Sequence, residues 1–159
     1  MKILTQKQSS NPNINSLTLE AHRNLEVDVL ARTLYGEARG ESLSGKEAVA
    51  CVIMNRVKRA QERGGYWWGS SVVGVCQKPW QFSCWNENDP NRAKILSMKP
   101  GHRVFDTCLR IARRAISGCL SDGTAGATHY HTLNVNPPWS RGRPACAEID
   151  GHLFYNDIE

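Results

Sequence analysis

The sequence predicts a single lysozyme-like domain, mainly α within the α+β class, with a helical core and a small extended element. Two stretches repeat apolar residues at helical spacing, a third is apolar on nearly all sides, and only two short segments favour extended structure. The 159 residues suffice for one domain whose core needs neither a metal nor a disulfide. An apolar share of 40% and a charged share of 22% are those of an ordinary soluble globular protein.

The N-terminal part of the chain combines a polar segment with the first helix. Residues 1–22 are rich in Asn, Ser and Gln, and we expect a flexible arm there, before a domain that covers residues 23–159. A helix is predicted over residues 24–36, because its apolar residues fall on one face: Val27, Leu30, Ala31, Leu34 and Tyr35. Gly36 and Gly40 suit a helix end or the close approach of a ligand.

A second helix should form the centre of the core. Ser44 and Glu47 have the spacing of a capping box, and residues 48–57 behind them are apolar almost all round. Gly64 and Gly65 end this helix.

The middle segment, residues 66–88, has no helical period and holds four of the five tryptophans. These aromatic side chains either fill the core beneath a long loop or line a cleft in which they stack on flat ligand faces such as sugar rings. The sequence leaves both interpretations open.

Two more helices and two extended segments complete the predicted domain. Asp89 is placed to cap a short helix that reaches about residue 98, and a strong amphipathic helix is predicted over residues 103–117. Extended structure is predicted over residues 128–135 and again over His152–Tyr155.

Charge and hydropathy limit the partners and the compartment. A net charge of +5 favours anionic surfaces, but the basic residues are scattered and no RNA-binding signature is present, so no nucleic-acid partner is expected. No window is long enough for a membrane span, and the N-terminus lacks the hydrophobic stretch of a secretory signal. We therefore expect a monomer made in the cytoplasm, with its six cysteines reduced by default. Cys76 with Cys84, or Cys119 with Cys146, are the pairs that can bridge loops after export.

Glu37 is the candidate catalytic residue, because it follows the apolar face of the first helix at the point where that helix ends. The carbonyls of a helix C-terminus and partial burial both disfavour an ionised carboxylate, and a glutamate that stays protonated can act as a general acid. Arg32 and Arg39 oppose this effect if their charges come near. The alternative is a helix cap followed by a solvated charged turn.

Five motifs together resemble the bacterial cell wall hydrolase family of the spore cortex-lytic enzymes. They are ARTLYGEARGE at 31–41, GKEAVACVIMNRV at 45–57, CQKPWQFSCW at 76–85, ATHYHT at 127–132 and GHLFY at 151–155. The resemblance covers about residues 25–155. It implies a lysozyme-like fold and cleavage of the glycan strand of peptidoglycan, with the family's catalytic glutamate at Glu37. A short chain without a signal peptide further resembles a phage endolysin, which acts on the wall from the host periplasm after release.

The choice of reaction depends on the number of carboxylates. Hydrolysis of a glycosidic bond usually needs two, and Glu41 is the possible second one, although the glycines beside it argue against a continuous helix. A lytic transglycosylase needs only Glu37, since the C6 hydroxyl of the sugar replaces water and leaves a 1,6-anhydromuramyl end. We favour the transglycosylase, with a hydrolytic muramidase as the alternative.

Substrate contacts are expected from the middle segment and the extended segment. Trp80, Phe82 and Trp85 are candidates to shape the cleft, and Gln81 and Ser83 to hydrogen-bond sugar or acetamido groups. Tyr130 is the candidate hydroxyl for the reacting centre or for Glu37 itself, and its alternative role is ordinary packing.

Two further hypotheses come from other classes of protein. His129 and His131 project to one side of a strand, and with His152 or Cys146 they suggest a zinc-dependent amidase. Their spacing lacks a firm third ligand, so we expect neither a metal nor another cofactor. The second hypothesis is a non-catalytic module that binds the cell wall through its aromatic residues and positive charge.

Overall fold

The computed structural model describes the backbone of residues 12–159 and the side chains from residue 15 onward. Within these residues the elements are α1 (Pro12–Ala38), α2 (Leu43–Glu62), α3 (Val72–Gln77), α4 (Pro90–Ser97), α5 (Arg103–Ile116), β1 (His129–Thr132), β2 (Ala147–Ile149) and β3 (His152–Tyr155). Two 3-10 turns, Ser83–Trp85 and Pro138–Ser140, lie between them. The predicted fold class is confirmed, because the helices dominate and the sheet is small.

The core is built around the C-terminal half of α1. This half packs against α2, α3, α4 and α5, and its residues Leu30 and Leu34 are fully buried. Ile53 of α2 and Ile111 of α5 belong to the same apolar cluster. The second helix is buried on most of its faces, as predicted, but α1 and not α2 is the central helix, because α1 packs against all four of the others.

The three strands form an antiparallel sheet in the order β1-β3-β2. Tyr130 of β1 pairs with Phe154 of β3, and Ala147 of β2 pairs with the same residue on the other side. Phe154 packs with Ala48 and Val52 of α2 in a second, smaller apolar cluster. This cluster attaches the sheet to α2 and so brings β1 toward the end of α1.

Several predicted boundaries need correction. The first helix begins at Pro12 and not at residue 24. The prediction missed its first turns because residues 15–25 are exposed and show no apolar period. Residues 12–22 of the predicted arm are thus helical, whereas residues 1–11 lie outside the described residues, and the division into arm and domain stays a prediction. Gly36 lies inside α1 and does not follow it.

The predicted capping box at the start of α2 is wrong. Ser42 is the N-cap, and its side chain accepts a hydrogen bond from the backbone N–H of Gly45. Glu47 instead pairs with Arg114 of α5 at 2.9 Å, so its spacing from Ser44 has no capping role. The predicted cap of α4 is confirmed, since Asp89 accepts from the N–H of Asn91.

Short elements were missed because they are too short to show a period. The middle segment contains α3 and the first 3-10 turn, and β2 has only three residues. The first extended segment is also shorter than predicted, since β1 covers four residues. Within the described part of the chain, no helix combines the length and apolar character needed to cross a membrane.

Candidate active site

Glu37 lies in the last turn of α1, half-buried at the edge of the core. The helix holds it there because Leu34 and Ala38, on either side in the sequence, are anchored in the apolar cluster. The side chain faces residues from the sheet and from the segment between α3 and α4, which are far from it in the sequence. The location predicted for Glu37, at the helix end beside the core, is confirmed.

Tyr130 provides the hydroxyl group at this carboxylate. Its Oη donates a hydrogen bond to Oε2 of Glu37 over 3.4 Å. The ring of Tyr130 stacks on Phe154, with centroids 5.6 Å apart, and meets the ring of His152 edge-on. Burial raises the pKa of Tyr130 well above its usual range, so the phenol keeps the proton that it donates. The structure therefore brings together the two residues that the sequence analysis linked as one of its alternatives.

Cys84 packs against Gly36, in the turn of α1 that also holds Glu37. It is buried, and its thiol is a hydrogen-bond partner of the Glu37 carboxyl. The approach is possible because Gly36 has no side chain: a Cβ on Gly36 would lie 2.7 Å from both the Cβ and the Sγ of Cys84. Gly36 is thus needed for a close approach between two segments and not for ending the helix.

The surroundings of Glu37 favour its protonated form. Burial is the largest effect on its pKa and raises it, and the negative charge of Asp89 raises it further. Hydrogen bonds from Cys84 and Tyr130 lower the pKa but do not cancel the effect of burial. The predicted counter-effect of the arginines is absent from this balance. Arg32 binds Asp28 and the carbonyl of Ile95 instead.

Two cavities lie beside the middle segment and share Pro79 and Trp80 in their linings. The first, about 440 Å³, is lined by Arg56, Trp67, Lys78, Pro79, Trp80, Gln81, His129, Trp139, Ile158 and Glu159. The second, about 430 Å³, is lined by Gln77, Pro79, Trp80, Trp85, Asn86, Glu87 and Asn88. Glu37 lines neither cavity. Its hydrogen-bond partner Tyr130 follows His129 of the first lining on β1, where successive side chains project to opposite faces of the strand.

Comparison with known proteins identifies the family. The family described as Cell Wall Hydrolase matches residues 40–155. The chain belongs to the cell wall hydrolase family. The resemblance predicted from the motifs is thereby confirmed. The matched residues begin three positions after Glu37, so the catalytic role of Glu37 depends on the geometry above and stays a prediction.

Relatives of this cell wall hydrolase include the spore cortex-lytic enzymes of Bacillus subtilis and Halalkalibacterium halodurans. The first is 30% identical over 132 residues, which are 82% of this chain and 37% of that protein. The second is 29% identical over 134 residues, which are 82% of this chain and 34% of that protein. The chain thus spans about a third of the length of these curated relatives.

Two solved structures share its fold. The catalytic domain of the Bacillus cereus SleB protein aligns with a TM-score of 0.62 and 28% identity, over 81% of this chain and 88% of that chain. The catalytic domain of the germination-specific lytic transglycosylase SleB from Bacillus anthracis aligns with a TM-score of 0.61 and 28% identity, over 81% and 92%.

In this hydrolase the carboxylate whose charge raises the pKa of Glu37 is that of Asp89, and not that of the predicted second carboxylate, Glu41. The charge of Asp89 acts on Glu37, while its side chain caps α4. Glu41 lies in the turn after α1, where its backbone carbonyl accepts a hydrogen bond from Lys46 and its Cβ faces Gly45.

The candidate substrate contacts divide into exposed and buried groups. Trp80 is 77% exposed and adopts a left-handed backbone conformation with φ of 67°. Its backbone N–H donates a hydrogen bond to the side-chain oxygen of Asn86. Trp85 lines the second cavity, with its indole N–H donating to Thr33 at 2.9 Å. Ser83 is exposed but lines neither cavity.

Phe82, a candidate to shape the cleft, lines neither cavity, and the amide nitrogen of Gln81, a candidate to hydrogen-bond the sugar, binds backbone carbonyls of the protein. Phe82 is buried in the core, with the guanidinium of Arg56 over its ring, so it supports the site from beneath. The amide nitrogen of Gln81 donates to the carbonyls of Trp68 and Val75, while its Oε1 is buried without a hydrogen-bond partner. Gln81 is among the lining residues of the first cavity, but this oxygen is enclosed by protein.

The histidines of this cell wall hydrolase serve in packing and hydrogen bonds. His131 bonds the hydroxyl of Tyr155 at 3.0 Å, and His129 bonds Thr128 at 3.0 Å. Cys146 donates to the carbonyl of Thr124. No three His, Cys, Asp or Glu side chains of the described residues are grouped so that they hold a metal ion. The six cysteines, all within the described range, are free.

Sequence reasoning missed three contributors to the site. The sequence suggests Cys84 only as a thiol in a disulfide, and it places Arg56 in a motif without a role. Trp139, the fifth tryptophan, follows the Pro137–Pro138 pair and packs on His129 and His131. Its proximity to Trp80 across the first cavity depends on contacts about 60 residues apart, for which no local pattern gives a signal.

Proposed function

We propose that this cell wall hydrolase cleaves the bond between N-acetylmuramic acid and N-acetylglucosamine in peptidoglycan as a lytic transglycosylase. The observation that supports this most directly is the half-buried carboxyl of Glu37 beside Tyr130 and Cys84, because burial raises its pKa and so favours the protonated form. The similar catalytic domain from Bacillus anthracis is that of a germination-specific lytic transglycosylase, which agrees with this reaction.

Glu37 acts first as an acid and then as a base. Its carboxyl donates a proton to the glycosidic oxygen, the bond from C1 of the muramyl sugar to that oxygen breaks, and N-acetylglucosamine leaves with a free 4-hydroxyl. The resulting carboxylate accepts the proton of the C6 hydroxyl on the muramyl sugar, and O6 bonds to C1. The product is a 1,6-anhydromuramyl end, Glu37 regains its proton, and no water is consumed.

The choice between transglycosylase and muramidase follows from the other carboxylates. A hydrolytic enzyme usually uses a second carboxylate that activates water or attacks the sugar. Asp89 is committed to the cap of α4, and Glu41 contacts the start of α2. The muramidase stays the second candidate, and Asp89 is the residue that it would need.

Analysis of released muropeptides tests the reaction. On purified sacculi we expect the wild-type enzyme to release fragments with anhydromuramyl ends, Glu37→Gln to release none, and Glu41→Gln to retain activity. Reducing ends that are lost in Asp89→Asn would establish the muramidase instead. Binding without any soluble product would favour a wall-binding module, and loss of activity with a chelator would favour an amidase.

We further propose that the enzyme reaches the wall from the periplasmic side after release in cell lysis, as a phage endolysin does. Its net charge of +5 supports attraction to an anionic bacterial envelope. When the chain is produced in the bacterial cytoplasm, we expect lysis only after the inner membrane is permeabilised. Lysis without permeabilisation would contradict this route.

A further inference from the structure

Arg56 is a buried cation without a carboxylate partner among the described residues. Only 9% of the residue is exposed, and its Nε donates to the carbonyl of Thr128 at 2.7 Å. The guanidinium lies over the rings of Trp68 and Phe82, 5.5 Å from each centroid. Burial lowers the pKa of Arg56 to about 10, so it is still positively charged at neutral pH. A buried charge is costly unless it is paired, which points to an anion that binds from outside the chain.

Arg56 lines the first cavity, where other residues also suit a polar anionic ligand. Lys78 adds a second positive charge, and the carboxylate of Glu159 in the lining pairs with Arg63 at 3.4 Å. Burial and the charges of Arg56 and Arg59 lower the pKa of His129 to about 4, so that residue is neutral and brings no charge of its own.

We propose that this cavity binds the carboxylate of the branch that the muramyl sugar carries at C3. The guanidinium of Arg56 binds carboxylates with two parallel hydrogen bonds, and Lys78 adds charge at the rim. Trp67, Trp80 and Trp139 supply apolar walls for the rest of the branch. The carboxylate belongs either to the lactyl group of a stem-free sugar or to the stem peptide.

The position of the cavity agrees with the proposed function, on which this inference rests. The charges of Arg56 and Glu37 both act on the pKa of Tyr130, and Tyr130 hydrogen-bonds Glu37, so the cation and the proposed acid are both near this side chain. The branch at C3 and the reacting C1 belong to the same sugar ring. We therefore assign to the first cavity the branch of the sugar whose C1 reacts at Glu37.

Binding to the Glu37→Gln variant tests the inference without turnover. Three probes are compared by calorimetry: stem-free glycan chains with lactyl carboxylates, the same chains with these groups converted to neutral methylamides, and chains that carry the stem peptide. We expect about tenfold weaker binding of the neutral chains than of the carboxylate chains. Between the two charged probes, the tighter one identifies the source of the carboxylate.

Substitutions in the cavity should remove this preference. Arg56→Gln, in the Glu37→Gln background, is expected to bind charged and neutral chains alike. Lys78 is exposed, so Lys78→Gln leaves the core intact. It should reduce the ratio of the affinities for charged and neutral chains by about threefold. Lys94→Gln on α4 is the matched control and should leave the ratio unchanged.

Equal binding of all three probes, or an unchanged ratio in both Arg56→Gln and Lys78→Gln, would overturn the inference. Failure of the proposed function has a different signature, because it requires that wild-type enzyme release no anhydro ends from any chain. Carboxylate-dependent binding together with reducing ends would keep the site and reject the transglycosylase.

Discussion

Gly36 and Cys84 approach so closely that a methyl group on Gly36 would have no space. A Cβ at that position would lie 2.7 Å from the Cβ and Sγ of Cys84 and 3.1 Å from the side chain of Ile95. The contact joins the last turn of α1 to the first 3-10 turn and places the Cys84 thiol at the carboxyl of Glu37. One glycine therefore controls how the candidate acid is held.

Gly36→Ala should reduce both stability and activity. Overpacking costs about 1–3 kcal/mol, and the higher helix propensity of alanine returns only about 0.5–1 kcal/mol. Moving Cys84 also removes a partner of Glu37. Thermal unfolding and sacculus lysis measure the two effects. Gly40→Ala is the control, since a Cβ there meets no atom within 4 Å. Equal melting temperatures for the two variants would contradict the close approach.

Tyr130→Phe should shift the pH profile of cleavage. The hydrogen bond from Tyr130 lowers the pKa of Glu37, and its loss leaves the raising effect of burial less opposed. The alkaline limb of kcat/KM, where the acid loses its proton, should therefore move to higher pH, with kcat reduced by about tenfold or more. Tyr155→Phe removes a hydroxyl that bonds His131 and serves as the control. A limb that moves to lower pH would exclude this role for Tyr130.

Glu37→Gln should change the pH dependence of stability. The pKa of Glu37 is raised on folding above its ordinary value of 4.5, so the native state binds the proton more tightly than the unfolded state. Wild-type stability should then fall as pH rises from about that value through the raised pKa, whereas the glutamine variant lacks this loss. The gain of Glu37→Gln over wild type should thus grow with pH in urea unfolding. A gain that shrinks with rising pH would show a lowered pKa.

Trp80→Ala should weaken substrate binding with little effect on folding. The indole is 77% exposed, so its removal costs the core almost nothing. Stacking of a sugar over roughly 60 Å² of its face contributes about 1.5 kcal/mol, or about tenfold in KM. Leu96→Ala, at another exposed apolar position, is the control for lost surface area. An unchanged KM on glycan chains would remove Trp80 from the substrate contacts.

Local patterns predicted the parts of the fold that depend on neighbouring residues. Helical periodicity revealed the second half of α1 and α5, a run that is apolar almost all round revealed α2, and the Asp89–Pro90 pair revealed the start of α4. The same approach failed for α3 and β2, because six and three residues are too few to show a period. It also failed for the first turns of α1, because an exposed polar helix has no apolar face that a periodicity can indicate.

By itself the sequence determined that the carboxylate of Glu37 lies at the end of a buried helix, and that an aromatic segment follows α2. Both features depend on short-range spacing. Tertiary structure decided which groups meet there. Tyr130 reaches Glu37 across 93 residues, and Cys84 reaches it only because Gly36 leaves space. Arg56 lines a cavity together with Trp139, which lies far along the chain. Such contacts arise from the packing of the sheet on α2 and of the middle segment on α1, and no periodicity within either segment encodes them.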